Sequence, residues 1–84
     1  MTWLNPISIE RLIDFAAAHP GPVVGAVDEA VRKDFGISPA RYLQLLNRAI
    51  ETPEALEHDP QTTYRLRRIN EQRARTREAR LGHL

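Results

Sequence analysis

The stretch VDEAVRKDFGISPARYLQLLNRAI, residues 27–50, decides the fold. It reads as helix, short turn, helix. Val27, Val31 and Phe35, with Val24 one turn earlier, recur at helical spacing and make one apolar stripe. Gly36 can then take positive φ without a Cβ penalty. Ser38 is a good N-cap, Pro39 suits the first helical position, and Ile37 and Tyr42 stand where a hydrophobic staple forms. Tyr42, Leu45, Leu46, Ala49 and Ile50 make the next stripe. The apolar positions on either side of Gly36 allow two helices to cross steeply over a shared core, as in a helix-turn-helix.

Outward from this pair, proline punctuates the chain. Asn5-Pro6, Ser38-Pro39, Thr52-Pro53 and Asp59-Pro60 each set a proline after a capping residue, and Pro22 follows the weaker cap Gly21. These predict five helix starts, and the residue before each proline ends whatever precedes it. Ile9, Leu12, Ile13, Ala16 and Ala17 form the first stripe, which His19-Pro20-Gly21-Pro22 ends. Thr52 to His58 is a turn or two. A longer helix starts at Pro60, anchored by Tyr64, Leu66 and Ile69, and past residue 70 the apolar pattern fades into a frayed helix or an arm. No stretch alternates like a strand. The expected fold is an all-α small helical domain, with a helix-turn-helix-like pair over about 23–35 and 39–51 and a long C-terminal helix. Residues 1–70 form the domain, and 71–84 form an arginine-rich extension of its last helix.

Length and composition agree. At 84 residues, with 42% apolar and 27% charged side chains, the chain is one small domain. It has no cysteine, which excludes disulfides, zinc-thiolate sites and thiol catalysis. No apolar run is long enough for a membrane span or a signal peptide, so no membrane partner is expected and the expected location is cytoplasmic. The net charge of +1 conceals a division. Residues 1–60 hold five basic and nine acidic side chains, net −4. Residues 61–84 hold seven arginines against Glu71 and Glu78, net +5. Arginine presents a planar five-donor fork to phosphate, so this asymmetry points to a polyanion partner.

The second helix of the pair is the expected reader of double-stranded DNA. Ser38, Arg41, Gln44 and, one turn on, Arg48 fall on its exposed side. Arginine pairs with guanine O6/N7, glutamine with adenine N6/N7, and Ser38 at the helix N-terminus can donate to a phosphate. Arg65, Arg67, Arg68, Arg73, Arg75, Arg77 and Arg80 are expected on phosphates. At 100° per residue these seven do not share one face, which suits a nucleic-acid groove better than a membrane surface. One position runs against the motif: Arg32 stands four before the turn glycine, where many helix-turn-helix proteins keep a small residue.

Further residues carry a resemblance. Phe35-Gly36-Ile37-Ser38, Arg41-Tyr42, Gln44, Leu46-Asn47, Ile50, Pro53-Glu54-Ala55-Leu56, Asp59-Pro60 and Arg65-Leu66-Arg67-Arg68 follow one another, with spaced arginines after them. Over about residues 30–80 the chain resembles a small actinobacterial family of unknown function, also found in actinobacteriophages. The resemblance implies a helical, helix-turn-helix-like protein suspected of binding DNA, and no established biochemical activity. The chain departs from the family pattern twice. Ala16, Ala17, Ala18 and His19 stand where the family has an aromatic-rich run, and Leu43 stands where it has an aromatic.

Other chemistry is sparse. His19, His58 and His83 lack ligand spacing, so no metal or other cofactor is expected. No nucleophile motif or glycine phosphate loop is present, and an enzyme is not expected. Trp3 and Leu4 read as a lid on the core, or as a dimer contact. The functional expectation is a small, nucleoid-associated transcriptional or phage regulatory factor. As a homodimer it would read half-sites one helical turn apart. The rival is a non-enzymatic adaptor that binds a host or transcription component through the acidic N-terminal part.

Overall fold

The computed structural model describes Trp3 and residues 5–82; Leu4 and His83 lie outside them. Five helices follow in order: α1 (Ile9–Ala18), α2 (Ala26–Phe35), α3 (Pro39–Ala49), α4 (Pro53–His58) and α5 (Pro60–Gly82), with no strand among the described residues. The protein is a small all-α domain.

Three of the five proline-marked starts form as expected. The Ser38 and Thr52 hydroxyls accept from the N–H groups of Arg41 and Ala55, at 3.1 and 3.3 Å. The Asp59 carboxylate accepts from Thr62 N–H at 3.1 Å and so caps α5. The other two starts are displaced. Asn5 Oδ1 accepts from Ile7 N–H at 3.2 Å, which spends the asparagine on a turn. The N-cap of α1 is instead Ser8, whose hydroxyl accepts from Arg11 N–H at 3.1 Å. Pro22 likewise lies in a turn, with Val24 N–H bonded to its carbonyl at 3.0 Å. The helix expected from about residue 23 begins at Ala26, because Gly25 at φ 57° redirects the chain. Val24 consequently leaves the apolar stripe and is 65% exposed. The helix expected to reach residue 51 stops at Ala49, where Ile50 caps it and the Thr52 hydroxyl donates back to Ala49 O at 2.6 Å.

Between α2 and α3 the turn is as expected. Gly36 takes φ 68°, ψ 25°, and its N–H bonds Arg32 O at 2.9 Å. Arg32 itself is exposed and paired with Asp28 at 2.8 Å, so its bulk does not obstruct packing. α2 meets α3 through buried Val31 and half-buried Val27 and Phe35.

The core is centred on α1, which packs on α3, α4 and α5. Leu12, Ile13, Val31, Leu45, Ala49 and Ile50 are essentially inaccessible. Each large member contributes roughly 1.5–3 kcal/mol by leaving water. Phe15 lies edge-on to Tyr42 at 5.3 Å and tilted against Phe35 at 5.2 Å, which closes the aromatic side of the core. Burial pushes the Tyr42 phenol up to about 12. Arg11 fastens α2 to this cluster: its guanidinium lies 4.9 Å from the Phe35 ring centroid and donates to Asp34 O at 3.1 Å. Half-buried Trp3 covers the core, its indole N–H donating to Ile7 O at 2.8 Å.

α5 packs only through its first three turns. Thr62 and Thr63 are buried there and Leu66 is half-buried, whereas Tyr64, expected as an anchor, is 54% exposed. The helix then continues to Gly82 with every residue from 71 onward exposed.

Candidate nucleic-acid interface

α3 divides its residues between two sides because its apolar and polar positions follow a 3.6-residue period. Tyr42, Leu45, Leu46 and Ala49 turn inward, while Arg41, Gln44, Asn47 and Arg48 turn outward and are exposed. At the start of the helix the Ser38 oxygen is committed to its cap. Arg41 Nη1 donates to Gln44 Oε1 at 3.2 Å. This bond holds two outward side chains side by side and leaves the other guanidinium N–H groups and the Gln44 amide N–H groups available.

α5 comes alongside that surface. Asn70 Nδ2 donates to Asn47 Oδ1 at 3.0 Å, one turn beyond Gln44 on α3. Arg67 is half-buried and its Nε donates to Ile50 O, which satisfies a carbonyl at the end of α3. Arg67 is thus a clamp between helices, placed apart from the other arginines. Arg65, Arg68, Arg73, Arg75, Arg77 and Arg80 are exposed. They fall into rows: Arg73, Arg77 and Arg80 border one shallow hollow with Ile69, Gln72 and Thr76. Arg68 and Arg75, seven residues apart, share another side of the helix.

Carboxylates gather elsewhere. Asp14 on α1 accepts from His58 Nε2 at the end of α4 at 2.7 Å. The hydrogen bond to Asp14 raises the His58 pKa above its ordinary value, and the charges of Asp14, Glu10 and Asp59 add to the effect. Hydrogen bonds from Thr62 lower the Asp59 pKa. His19 is spent on packing: its ring stacks on Phe15 at 4.1 Å and Nδ1 donates to Phe15 O at 2.9 Å. Among the described residues no three His, Asp or Glu side chains are grouped to hold a metal ion, and no helix is long and apolar enough to cross a membrane.

Sequence reasoning missed two features. One is the pair Thr62 and Thr63: both are buried, and the Thr63 hydroxyl donates to Ala55 O at 3.0 Å. The other is a cleft of about 410 Å³ between α3, α5 and the α1–α2 connection. Ala16, His19 and Leu43, at positions where the chain departs from the resemblance, all border it.

Among the described residues the chain is a small domain of five helices, the last of which carries an exposed, arginine-rich second half. The chain belongs to the family described as "Protein of unknown function (DUF3263)", which it matches over residues 8–78. No curated protein and no solved structure matches it.

Proposed function

We propose that this chain is a sequence-dependent double-stranded-DNA-binding protein, with α3 in the major groove and α5 on phosphates. One observation carries the reading: Arg41, Gln44 and Arg48 share the outward side of α3, with Arg41 and Gln44 hydrogen-bonded to each other. Arginine and glutamine are the side chains suited to purine edges in the major groove. Six exposed arginines on α5 supply sequence-independent affinity beside it. A helix-turn-helix docking of α2 and α3, a role in transcriptional or phage regulation and association with the nucleoid belong to the same proposal.

A gel shift of duplex DNA across a salt series tests it. Arg41→Ala is expected to cost ~1–3 kcal/mol and to relax specificity at one base pair. Truncation after Asn70 removes four arginines and is expected to weaken binding to all sequences, flattening the salt slope by up to about 3–4 units. Unchanged affinity in both variants overturns the reading. A protein partner retained after nuclease, with no shift of duplex at low salt, would favour the adaptor.

A further inference from the structure

The cleft between α3, α5 and the α1–α2 connection lies apart from Arg41, Gln44 and Arg48, and shares only Arg65 and Arg73 with the proposed DNA contacts. Its volume of about 410 Å³ lies in the range of sites that hold a side chain or small ligand. The floor is apolar: Val23 from the connection, Leu43 and Leu46 from α3, and Ile69 from α5. Leu43 is 36% exposed. Arg65 and Arg73 stand one on each side of Ile69 along α5, four residues away in either direction. Among the described residues no carboxylate lines the cleft. The Asn47–Asn70 hydrogen bond spans α3 and α5 here and holds the two walls together.

We infer that this cleft is a docking site for an acidic, apolar-anchored peptide segment of a partner protein. Large apolar side chains would fill the floor, and carboxylates flanking them would pair with Arg65 and Arg73. Both requirements come from the lining, since an apolar pocket takes an anchor and arginine forks take carboxylates. A second copy of this chain fits less well. A two-fold contact through the cleft would set Arg65 and Arg73 against the same arginines of the other copy. Duplex DNA fits less well also, because an apolar floor offers nothing to phosphates or base edges.

The test is selection of random dodecapeptides displayed on phage against the full chain. The selected sequences are expected to carry one or two large apolar residues flanked by Asp or Glu. A synthetic peptide of the selected sequence is then titrated by fluorescence polarisation. Leu43→Glu and Arg73→Glu are each expected to weaken it about tenfold or more, equivalent to ~1.4 kcal/mol. Arg68→Glu, on another side of α5, and Arg41→Ala are expected to leave it unchanged. Leu43 and Arg73 are both exposed, and thermal melts verify that their variants fold. Selection of no peptide, or of basic or uncharged ones, overturns the inference, as does binding that ignores Leu43→Glu. A dimer in sedimentation velocity that Leu43→Glu dissociates would assign the cleft to a second copy instead. Arg65 and Arg73 also belong to the arginines proposed for phosphates. The two readings are therefore separated by Arg41→Ala, expected to weaken binding of DNA and not of the peptide, and by Leu43→Glu, expected to weaken chiefly the peptide. Either reading can then fail with the other left standing.

Discussion

Two glycines and two charged contacts do work that neighbouring residues cannot. Gly36 sits at φ 68° with open space around a hypothetical Cβ, so the conformation alone demands glycine. Gly36→Ala is expected to cost ~1–2 kcal/mol, measured by chemical denaturation, because an L-residue is strained in the left-handed region. Gly25, at φ 57° and ψ −122°, is under the same demand at the start of α2. Arg11 looks like an ordinary exposed helix residue in the sequence, yet it reaches the end of α2 twenty-three residues away. The His58–Asp14 pair joins α4 to α1. Since the His58 pKa is raised in the fold, the pair's contribution is fully present below the unfolded value of about 6.5 and is lost as pH rises through the folded value. His58→Gln is therefore expected to destabilise at pH about 5.5 and to be nearly neutral at about 9, read from denaturation midpoints at the two pH values.

Three helix starts were legible because a capping residue stands directly before a proline and does the capping locally. Ser38, Thr52 and Asp59 each accept from an N–H three residues on, which needs no tertiary help. Asn5 had the same local chemistry, but turned its oxygen to Ile7 N–H while Trp3 fixed the Ile7 carbonyl. Nothing in the two residues Asn5-Pro6 distinguishes these outcomes; the burial of Ile7 does. The end of α5 was equally hard to read, since past Asn70 no apolar stripe shows how far a helix runs. Asp59→Ala is expected to cost ~1 kcal/mol at neutral pH, and Asp59→Asn to restore most of it, by thermal or chemical melts. The hydrogen bonds from Thr62 that lower the Asp59 pKa are lost as pH falls through that depressed value, so the cap weakens only in acid.

At the scale of the molecule, the near-neutral charge is a division between two surfaces. α5 has 23 residues and so runs ~34 Å, close to the longest dimension of 41 Å. Its exposed second half shares no core, so removal of residues 71–84 is expected to leave the unfolding midpoint of the rest unchanged. The same truncation should remove about twelve residues' worth of helical circular dichroism, in proportion to the turns lost. A large fall in midpoint would show instead that the arm supports the body. Carboxylates of α1 and Asp59 collect around His58, and four of the seven arginines of α5, Arg73, Arg75, Arg77 and Arg80, lie beyond the packed turns.

The sequence by itself determined the number of helices, the turn at Gly36, the outward set on α3 and the imbalance of charge. Each of these is set by local backbone chemistry or by periodicity along one element. Only the tertiary structure decided that Arg67 is a clamp rather than a free cation, that Thr63 is buried and Tyr64 exposed, and that α3 and α5 enclose a cleft. These depend on how α5 is rotated against α1, α3 and α4. That rotation is fixed by packing between residues far apart in the chain, and α5 carries too weak an apolar stripe to announce it.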